Sequence, residues 1–369
     1  MLAYLIGFGL SGLFLLLGKM VERDEATLGS RARIVSGVFL GGAILSITLL
    51  VGLRGYDVGT DSVRYVENLS HVASGQFRIF DWQSPLYYLI TLLVVKVFGG
   101  SYTALFLICG FIVAFFLCVG LWKSSQMPWL GLFIVCAFGY CFEAVNQIRQ
   151  FIAVCIVLYS YVFIKSGRVK RFVAFCVVAM GFHVSACVAL LIPFVYKKDF
   201  KATRILALLV ALVLLVALFP VVHRLLAFVP FYGEWYIGTA LEYDATVTTV
   251  FNCVIRVGVF VFLLAMRGRV ERFYPDYAFL LNILLVGVVF QVITVLSVSF
   301  GRIPTYFMVF LAYAVPELVQ GFDRRESKRV CAVVSVLFFS GLLIGNLMLK
   351  DYSDYEYELF WDSDIKTLA

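Results

Sequence analysis

The chain has 369 residues, of which 62% are hydrophobic and only 14% are charged, whereas an average soluble domain has about 45–50% and about 25%. A soluble core cannot bury so large an apolar excess, so the composition excludes a soluble globular protein. The net charge of +7 does not indicate a nucleic-acid partner, because the basic residues cluster in short loops between apolar runs, as they do in membrane proteins.

The first predicted element is the apolar run 2–18. It lacks the basic n-region and the small-residue cleavage site of a signal peptide, so we expect it to remain as a membrane anchor. Further apolar runs approach the length of about 17–25 residues that a helix needs to cross hydrocarbon, and a backbone in lipid must be helical to satisfy its hydrogen bonds. The sequence therefore predicts an all-α polytopic membrane helix bundle of about 10–12 segments that forms one integral membrane domain over 1–369. The further runs are 34–51, 102–121, 205–219, 249–266, 277–300 and 331–349.

The predicted orientation of the bundle follows from its basic loops, because such loops remain in the cytoplasm. The large loop 52–85, the loop 220–248 and the acidic tail 350–369 are then expected at the outer face. The basic stretches are 19–33, 165–171, 197–204, 267–272 and 324–329.

Two apolar segments leave the number of crossings open. The segment 172–195 has basic loops on both sides. It either forms two half-helices that enter and leave from the same side, with a break around His183, or it is one ordinary span. Non-helical backbone at depth is tolerated where it lines a protein or water cavity. The segment 86–121 is likewise interrupted, by Gly-Gly-Ser at 99–101.

The first candidate site is the large loop, which follows directly after a predicted span. Its carboxylates are suited to act as a general base on a hydroxyl, and its arginines to hold an anion. The alternative is a solvated loop whose charges form surface ion pairs. The charged and phenolic side chains between positions 54 and 67 are Arg54, Asp57, Asp61, Arg64, Tyr65 and Glu67.

The second candidate site is the polar sequence E-A-V-N-Q-I-R-Q at 143–150, which interrupts a long apolar sequence. On a helix, Asn146, Arg149 and Gln150 share one face, because they lie at i, i+3 and i+4. An arginine at membrane depth costs about 2.5–3.5 kcal/mol and usually marks a ligand or a pathway. The alternatives are that Arg149 snorkels to the interface or pairs with Glu143.

His183 is one of three histidines and lies in the apolar sequence G-F-H-V-S-A-C. It is either a packing residue held by hydrogen bonds or a catalyst. A metal site formed with Cys187 is rejected, because the sequence does not supply the four ligands that zinc prefers. The nine cysteines are scattered without C-x-x-C spacing and are interpreted as small apolar fillers. We therefore identify no metal site and no cofactor, and the sequence leaves the need for a divalent metal open.

A third group of residues surrounds Arg302, which precedes Tyr306 at a predicted outer helix junction. Together with Arg149 and an arginine of the large loop, Arg302 would form a cationic pocket. Planar guanidinium groups match the oxygens of a diphosphate. Arg256 is a weaker member of this group, because it lies inside a predicted span.

Several short motifs occur in a recognisable order. They are G-x-D at 59–61 with Tyr65 following, N-x-x-R-Q-x-x-A at 146–153, H-x-S-A at 183–186, Arg302 with Tyr306, and the tail Y-E-Y-E-L-F-W. This order resembles the EpsG family of membrane proteins, which is similar to the Wzy polymerases of O-antigen, capsule and exopolysaccharide assembly. The resemblance covers nearly the whole chain. The corner 82–85 departs from it, since the family often has an acidic residue with glycine or proline where this chain has W-Q-S-P.

The resemblance implies a glycosyltransferase-type enzyme that joins oligosaccharide repeat units at the outer face of the bacterial cytoplasmic membrane. The units are carried on undecaprenyl diphosphate, which is the leaving group, so neither a nucleotide sugar nor a cytosolic domain is needed. The implied partners are this lipid-linked oligosaccharide, membrane lipid, a flippase and chain-length regulator proteins, and no nucleic acid. The implied proton acceptor is Asp61, with Asp57 or His183 as alternatives. The implied substrate-binding residues are Arg54, Tyr65, Asn146, Arg149, Gln150, Ser185, Arg302 and Tyr306.

Two other functions fit parts of the same pattern. In a membrane O-acyltransferase, Asn146 and His183 would work together across neighbouring helices, and activity would depend on an acyl donor. A transporter or flippase for lipid-linked glycans should show paired helix breaks related by an internal repeat, and the sequence indicates no such pair.

Overall fold

The computed structural model describes residues 2–24, 29–76, 83–196, 246–296, 300–349 and 356–361. Within these ranges the chain is helical apart from connecting turns and one isolated antiparallel bridge between Arg54 and Leu359. The predicted run 205–219, the basic stretch 197–204 and most of the loop 220–248 lie outside the described residues. The elements are α1 (Leu2–Arg23), α2 (Ser30–Gly52), α3 (Ser62–Ala73), α4 (Pro85–Phe98), α5 (Tyr102–Ser124), α6 (Pro128–Ala137), α7 (Tyr140–Glu143), α8 (Ile148–Lys165), α9 (Val169–Phe182), a 3-10 helix (Val184–Leu191), α10 (Ile192–Val195), α11 (Val247–Ala265), α12 (Arg267–Val270), α13 (Tyr277–Leu296), α14 (Thr305–Met308), α15 (Leu311–Gln320) and α16 (Arg325–Leu349).

Seven of the described helices are long and apolar enough to cross a membrane, namely α1, α2, α5, α8, α11, α13 and α16. Their outer faces expose aliphatic side chains such as Leu45, Val254 and Leu337, which are 56, 63 and 67% exposed. Such exposure suits a surface that contacts lipid, where the helix itself satisfies the backbone hydrogen bonds. The predicted all-α polytopic membrane bundle is therefore confirmed.

One end of the bundle gathers the basic helix termini, and we call it the basic end. The Arg23 guanidinium at the end of α1 donates to the Gln126 carbonyl, 2.8 Å away, just after α5. Lys165 at the end of α8 bonds to Glu317 of α15 at 3.2 Å. The predicted cytoplasmic stretches 19–33 and 165–171 start at this end.

The opposite end, which we call the site end, holds the first residues of α1 and the described parts of the large loop (52–76 and 83–85) and of the tail (356–361). The ring of Tyr4 in α1 packs edge-on against Tyr357 of the tail, with centroids 5.6 Å apart. Tyr102 at the start of α5 donates to the Phe360 carbonyl at 3.0 Å. The described parts of the loop and of the tail therefore lie at one end, as the charge pattern predicts.

The segment 172–195 is re-entrant. Helix α9 leaves the basic end and stops at Phe182, where His183 adopts an extended conformation with φ −155° and ψ 121°. The chain then turns back through the 3-10 helix to Tyr196, whose hydroxyl lies 3.7 Å from the point that a Cβ on Gly167 would occupy. Both ends of the segment therefore lie at the basic end, and His183 lies at the tip of the hairpin, inside the bundle.

The segment 86–121 contains one crossing. Helix α4 begins beside Arg149, whose Nη1 donates to Ser84 Oγ at 3.1 Å, and it ends at the turn 99–100. Ser101 then caps α5 by accepting a hydrogen bond from the Ala104 amide at 3.3 Å. Since α5 starts at the site end, both ends of α4 lie at that end, and only α5 crosses.

The crossing formed by α6 and α7 is broken next to the site. Helix α6 ends at Ala137, and Gly139 follows with φ 79°, a left-handed conformation that glycine adopts without steric cost. The carbonyl exposed at the break, that of Ala137, accepts a hydrogen bond from Asn346 Nδ2 of α16 at 3.0 Å. After α7 the chain makes a turn at 144–147, which places Asn146 at the site end.

The described part of the tail, residues 356–361, is hydrogen-bonded to the loop that follows α2, and we call this segment the strap. The Gly55 amide donates to the Glu358 carbonyl at 2.9 Å, and the Phe360 amide donates to the Leu53 carbonyl at 2.9 Å. The Tyr357 hydroxyl donates to the Leu50 carbonyl at 2.9 Å. With the bond from Tyr102 to Phe360, these contacts fix the loop at the point where Arg54 enters the protein.

Ending the chain after Tyr355 should destabilise the site end, because it removes the four hydrogen bonds of this strap. At about 0.5–1 kcal/mol for each bond, we expect the folded state to lose about 2–4 kcal/mol. The measurement is the thermal midpoint of the detergent-solubilised protein. A chain that ends after Trp361 keeps all four bonds and is the matched control. Equal midpoints for the two truncations would contradict the assignment.

Candidate functional site

Four separate parts of the chain meet at the site end. They are the turn before α3, the turn before α8, the tip of the re-entrant hairpin and the junction before α14. We call their meeting point the Arg149 site. Its members are Asp61, Tyr65, Asn146, Arg149, His183, Ser185, Arg302 and Tyr306, so the structure brings together most of the residues predicted from the sequence.

Arg149 is held in an aromatic cradle at the start of α8. Its Cζ lies 5.5 Å from the ring centroids of both Tyr65 and Tyr87, and its Nη1 donates to Ser84 Oγ. Cation–π contacts stabilise a guanidinium that has been removed from water. The cradle fixes the plane of the guanidinium, which is the requirement for bidentate binding of an anion.

Asn146 anchors the turn that carries Asp61. Its Oδ1 accepts from Thr60 Oγ1 at 2.9 Å and from the Asp61 amide at 2.8 Å. Ser62 Oγ also donates across the same interface to the Val145 carbonyl at 3.1 Å. These bonds hold the backbone of Asp61 while its side chain stays 24% exposed, so the carboxylate is fixed in position and still accessible.

The turn at 58–62 fits against the turn at 144–147 only because position 59 is a glycine. Gly59 has φ 97°, which L side chains rarely adopt, and a Cβ there would approach the Val145 carbonyl oxygen to 3.1 Å. The motif G-x-D therefore combines a close backbone approach with the carboxylate that follows it.

The structure corrects the expected position of Asn146. Helix α8 begins at Ile148 with Gln147 as its N-cap, so Asn146 lies in the preceding turn and not on one helix face with Arg149 and Gln150. The three side chains consequently have different partners. Gln150 Nε2 donates to the Arg302 carbonyl at 2.7 Å and ties the junction before α14 to α8. The i, i+3, i+4 spacing assumes an uninterrupted helix, but the chain makes a turn at 144–147, so the spacing does not apply to Asn146.

Replacing Asn146 by alanine should loosen this turn, because both hydrogen bonds to Oδ1 are lost. At about 0.5–1.5 kcal/mol for each bond, the Asp61 amide should exchange with solvent about 5- to 150-fold faster. Hydrogen–deuterium exchange resolved at 58–62 is the measurement. Thr60→Val removes only one of the two bonds and should have the smaller effect. An unchanged exchange rate in Asn146→Ala would show that the turn is held by other contacts.

His183, Ser185 and Tyr306 form a hydrogen-bonded chain beneath the arginines. The Ser185 amide donates to His183 Nδ1 at 3.3 Å, so the neutral imidazole carries its proton on Nε2. Ser185 Oγ then donates to the same Nδ1 at 2.7 Å and accepts from the Tyr306 hydroxyl at 3.0 Å. These hydrogen bonds fix the orientation of the imidazole. They occupy Nδ1 and leave the Nε2–H group as a hydrogen-bond donor.

Two positive charges act together on this site. The charges of Arg149 and Arg302 both interact with His183. Burial raises the pKa of the Tyr65 phenol, and the same two arginines oppose that rise. The Arg302 side chain is exposed, and no hydrogen bond or ion pair joins it to another of the residues that the structure describes. One arginine is therefore preorganised and the second is available to a ligand.

Arg54 is placed differently from the prediction that it binds substrate directly. It is completely buried, and it donates to the Val51 carbonyl at 2.8 Å and to Ser62 Oγ at 3.2 Å. Its Cζ lies 3.9 Å from the centroid of the Phe106 ring. Burial lowers the pKa of Arg54 to about 10. In this conformation Arg54 supports the turn that carries Asp61 and does not line the open site.

Two other predicted members lie outside the Arg149 site. Asp57 is exposed on the large loop. Arg256 of α11 donates to Gln291 Oε1 of α13 and lies over the rings of Phe138 and Tyr140, 5.5 and 5.4 Å from their centroids. These contacts place Arg256 at the break between α6 and α7.

The sequence did not identify Ser84 and Tyr87 as parts of the site, although they contact Arg149. The signal available was the corner 82–85, where a serine precedes Pro85 at the start of a helix. In the ranges that the structure covers, no group of three or more His, Cys, Asp or Glu side chains is arranged to hold a metal ion.

Comparison with known proteins gives one match. The model of the EpsG family matches residues 38–359, which include every member of the Arg149 site. Neither a curated protein nor a solved structure matches significantly.

Proposed function

This chain belongs to the EpsG family of Wzy-type polymerase-like polysaccharide biosynthesis proteins, and we propose that it joins oligosaccharide repeat units carried on undecaprenyl diphosphate. The observation that carries this proposal is the Arg149 site. It combines a cradled arginine, a second, exposed arginine and an anchored carboxylate at one end of a membrane bundle. A diphosphate and a sugar hydroxyl require these groups.

In the proposed reaction, Arg149 and Arg302 bind the diphosphate of the donor. The hydroxyl oxygen of the acceptor sugar attacks the anomeric carbon of the donor and forms the new glycosidic bond. The bond from that carbon to the diphosphate oxygen breaks, and its electron pair leaves with the diphosphate. The guanidinium groups stabilise the charge that grows on this leaving group. The free energy stored in the lipid diphosphate drives the transfer, so no cofactor is required.

The proposed proton acceptor is Asp61. Its backbone is fixed by Asn146 and its carboxylate is accessible, whereas Asp57 lies exposed on the loop. His183 is less suited to this role, because its Nδ1 is engaged by Ser185. The Nε2–H group of His183 is suited to donate a hydrogen bond to a substrate oxygen.

The proposed location is the bacterial cytoplasmic membrane, with the Arg149 site at the outer face. The support is the charge distribution, since the basic end carries the stretches that the positive-inside rule assigns to the cytoplasm. A flippase would then have to deliver the lipid-linked units to the site end, and chain-length regulator proteins would act on the growing product.

The test is incubation of the purified protein, in lipid nanodiscs, with an undecaprenyl-diphosphate-linked repeat unit from a strain that lacks the gene. We expect a ladder of products that differ by one unit, together with release of undecaprenyl diphosphate. A folded protein that yields only the single unit would exclude the polymerase. Product that gains mass only when an acyl donor is added would indicate the O-acyltransferase instead.

A further inference from the structure

A second polar cavity lies at the basic end, far from the Arg149 site. It has a volume of about 480 Å³, which is in the range of pockets that bind small molecules. Helix α8 connects the two places, with Arg149 near its start and Lys165 at its end. At about 1.5 Å for each residue the separation is about 24 Å, so this cavity is not part of the site described above.

Three lysines from three helices line the cavity. Lys19 comes from the last turns of α1, Lys123 from the end of α5 and Lys165 from the end of α8. Lys19 pairs with Glu22 at 2.5 Å, and Lys165 pairs with Glu317. Lys123 differs, because no carboxylate among the described residues pairs with it, and its Nζ lies 5.7 Å from the centroid of the Tyr159 ring. Asp276 is a second carboxylate in the lining besides Glu317, and among the described residues no ion pair joins either of them to Lys123. The cavity therefore offers one ammonium group for an anion.

Glu317 adds a buried negative charge to the lining of the cavity. It is only 4% exposed, and its Oε1 accepts from Lys165 at 3.2 Å. Its Oε2 is buried and has no hydrogen-bond partner among the described residues. An unsatisfied oxygen on a buried carboxylate is costly, so the position calls for a donor. Glu317 lines the cavity, so its carboxylate is the negative group that a cationic ligand there would pair with.

We propose that the cavity binds a group with both a phosphate and an ammonium, the chemistry of a phosphoethanolamine headgroup. The phosphate contacts Lys123, and the ammonium pairs with the Glu317 carboxylate. Trp122 also lines the cavity, and the Lys19 ammonium lies 4.5 Å from the centroid of its ring. Tryptophan is typical of the headgroup level of a membrane, so a phospholipid can reach the cavity from the bilayer.

The test is titration of lipid-stripped protein in detergent with phosphatidylethanolamine, with bound lipid counted by native mass spectrometry. We expect Lys123→Gln and Glu317→Gln each to weaken binding about tenfold, the effect of losing a hydrogen bond to a charged group. Lys170→Gln is the matched control, since Lys170 is exposed near the same end and does not line the cavity. Phosphatidic acid, which lacks the ammonium, should bind more weakly and should be insensitive to Glu317→Gln.

Soluble glycerophosphoethanolamine tests whether the cavity binds a free headgroup or only a membrane phospholipid. Displacement of the lipid by millimolar concentrations would identify the headgroup alone as the ligand, and failure to displace it would identify the membrane phospholipid. Equal affinity of the wild type and the Lys123→Gln variant for phosphatidylethanolamine would overturn the proposal. Lys123 is partly solvent-exposed at a helix end, so this variant is expected to fold even where Glu317→Gln does not. The result does not depend on glycosyl transfer.

Discussion

Replacing Arg149 by alanine should abolish polymer formation, with a rate loss of at least about 10²- to 10³-fold. This is the usual cost of removing one preorganised group that stabilises charge in the transition state. Arg149 is the best preorganised cation of the site, because two tyrosine rings and Ser84 fix its guanidinium. The measurement is the rate at which the product ladder grows in the purified system.

Arg149→Lys separates charge from geometry. Lysine keeps the positive charge and loses the planar fork that matches two phosphate oxygens, so we expect an activity between those of the wild type and Arg149→Ala. The control is Lys96→Ala, since Lys96 is exposed in the last turn of α4 at the same end. Long polymer from Arg149→Ala would exclude Arg149 as the diphosphate ligand.

The thermal stability of Arg149→Ala distinguishes a loss of activity from misfolding. A membrane-embedded arginine costs about 2.5–3.5 kcal/mol, so its removal should not destabilise the bundle strongly, although Ser84 loses its partner. We expect the thermal midpoint of Arg149→Ala to stay close to that of the wild type while activity disappears. A large fall in the midpoint would mean that Arg149 acts mainly as a structural residue.

Among the described residues, the sequence predicted the membrane spans well, because their signal is local. An apolar run of about 20 residues has one stable arrangement in lipid, and no distant contact is needed to recognise it. The charge pattern also conflicted with a single span at 172–195, because basic loops flank both ends of that segment. Choosing between a span and a hairpin required the packing of α9 against the returning 3-10 helix, and of Gly181 against Leu86.

The roles within the site were less predictable, because they depend on partners far apart in the chain. Asn146 looked like a helix-face residue, yet its Oδ1 binds Thr60 and the Asp61 amide, more than 80 positions earlier. Arg54 looked like a second anion ligand, and it proved to be buried beside Phe106. Residue type and spacing can place a polar group near a site, but they do not determine which way it points.

Asp61→Asn should stop the transfer while leaving the donor bound. Asparagine has the same shape and keeps the backbone amide that donates to Asn146, but it cannot take the proton from the acceptor hydroxyl. Loss of a general base typically costs about 10²- to 10⁴-fold in rate. Ladder growth in the purified system and binding of the lipid-linked donor, measured separately, should therefore diverge in this variant.

Asp57→Asn is the matched control for Asp61→Asn, because both residues lie on the large loop and only Asp61 is anchored by Asn146. We expect the control to retain activity within about threefold, as surface substitutions usually do when they touch no specific feature. If Asp57→Asn stops the reaction and Asp61→Asn does not, the base is Asp57 and the anchored turn serves another purpose. If Asp61→Asn weakens donor binding as much as it slows transfer, the carboxylate positions the substrate and the proton must leave by another route. If Asp61→Asn still binds the donor but no longer transfers it, Asp61 lies at the reacting hydroxyl, opposite the arginines that hold the leaving group.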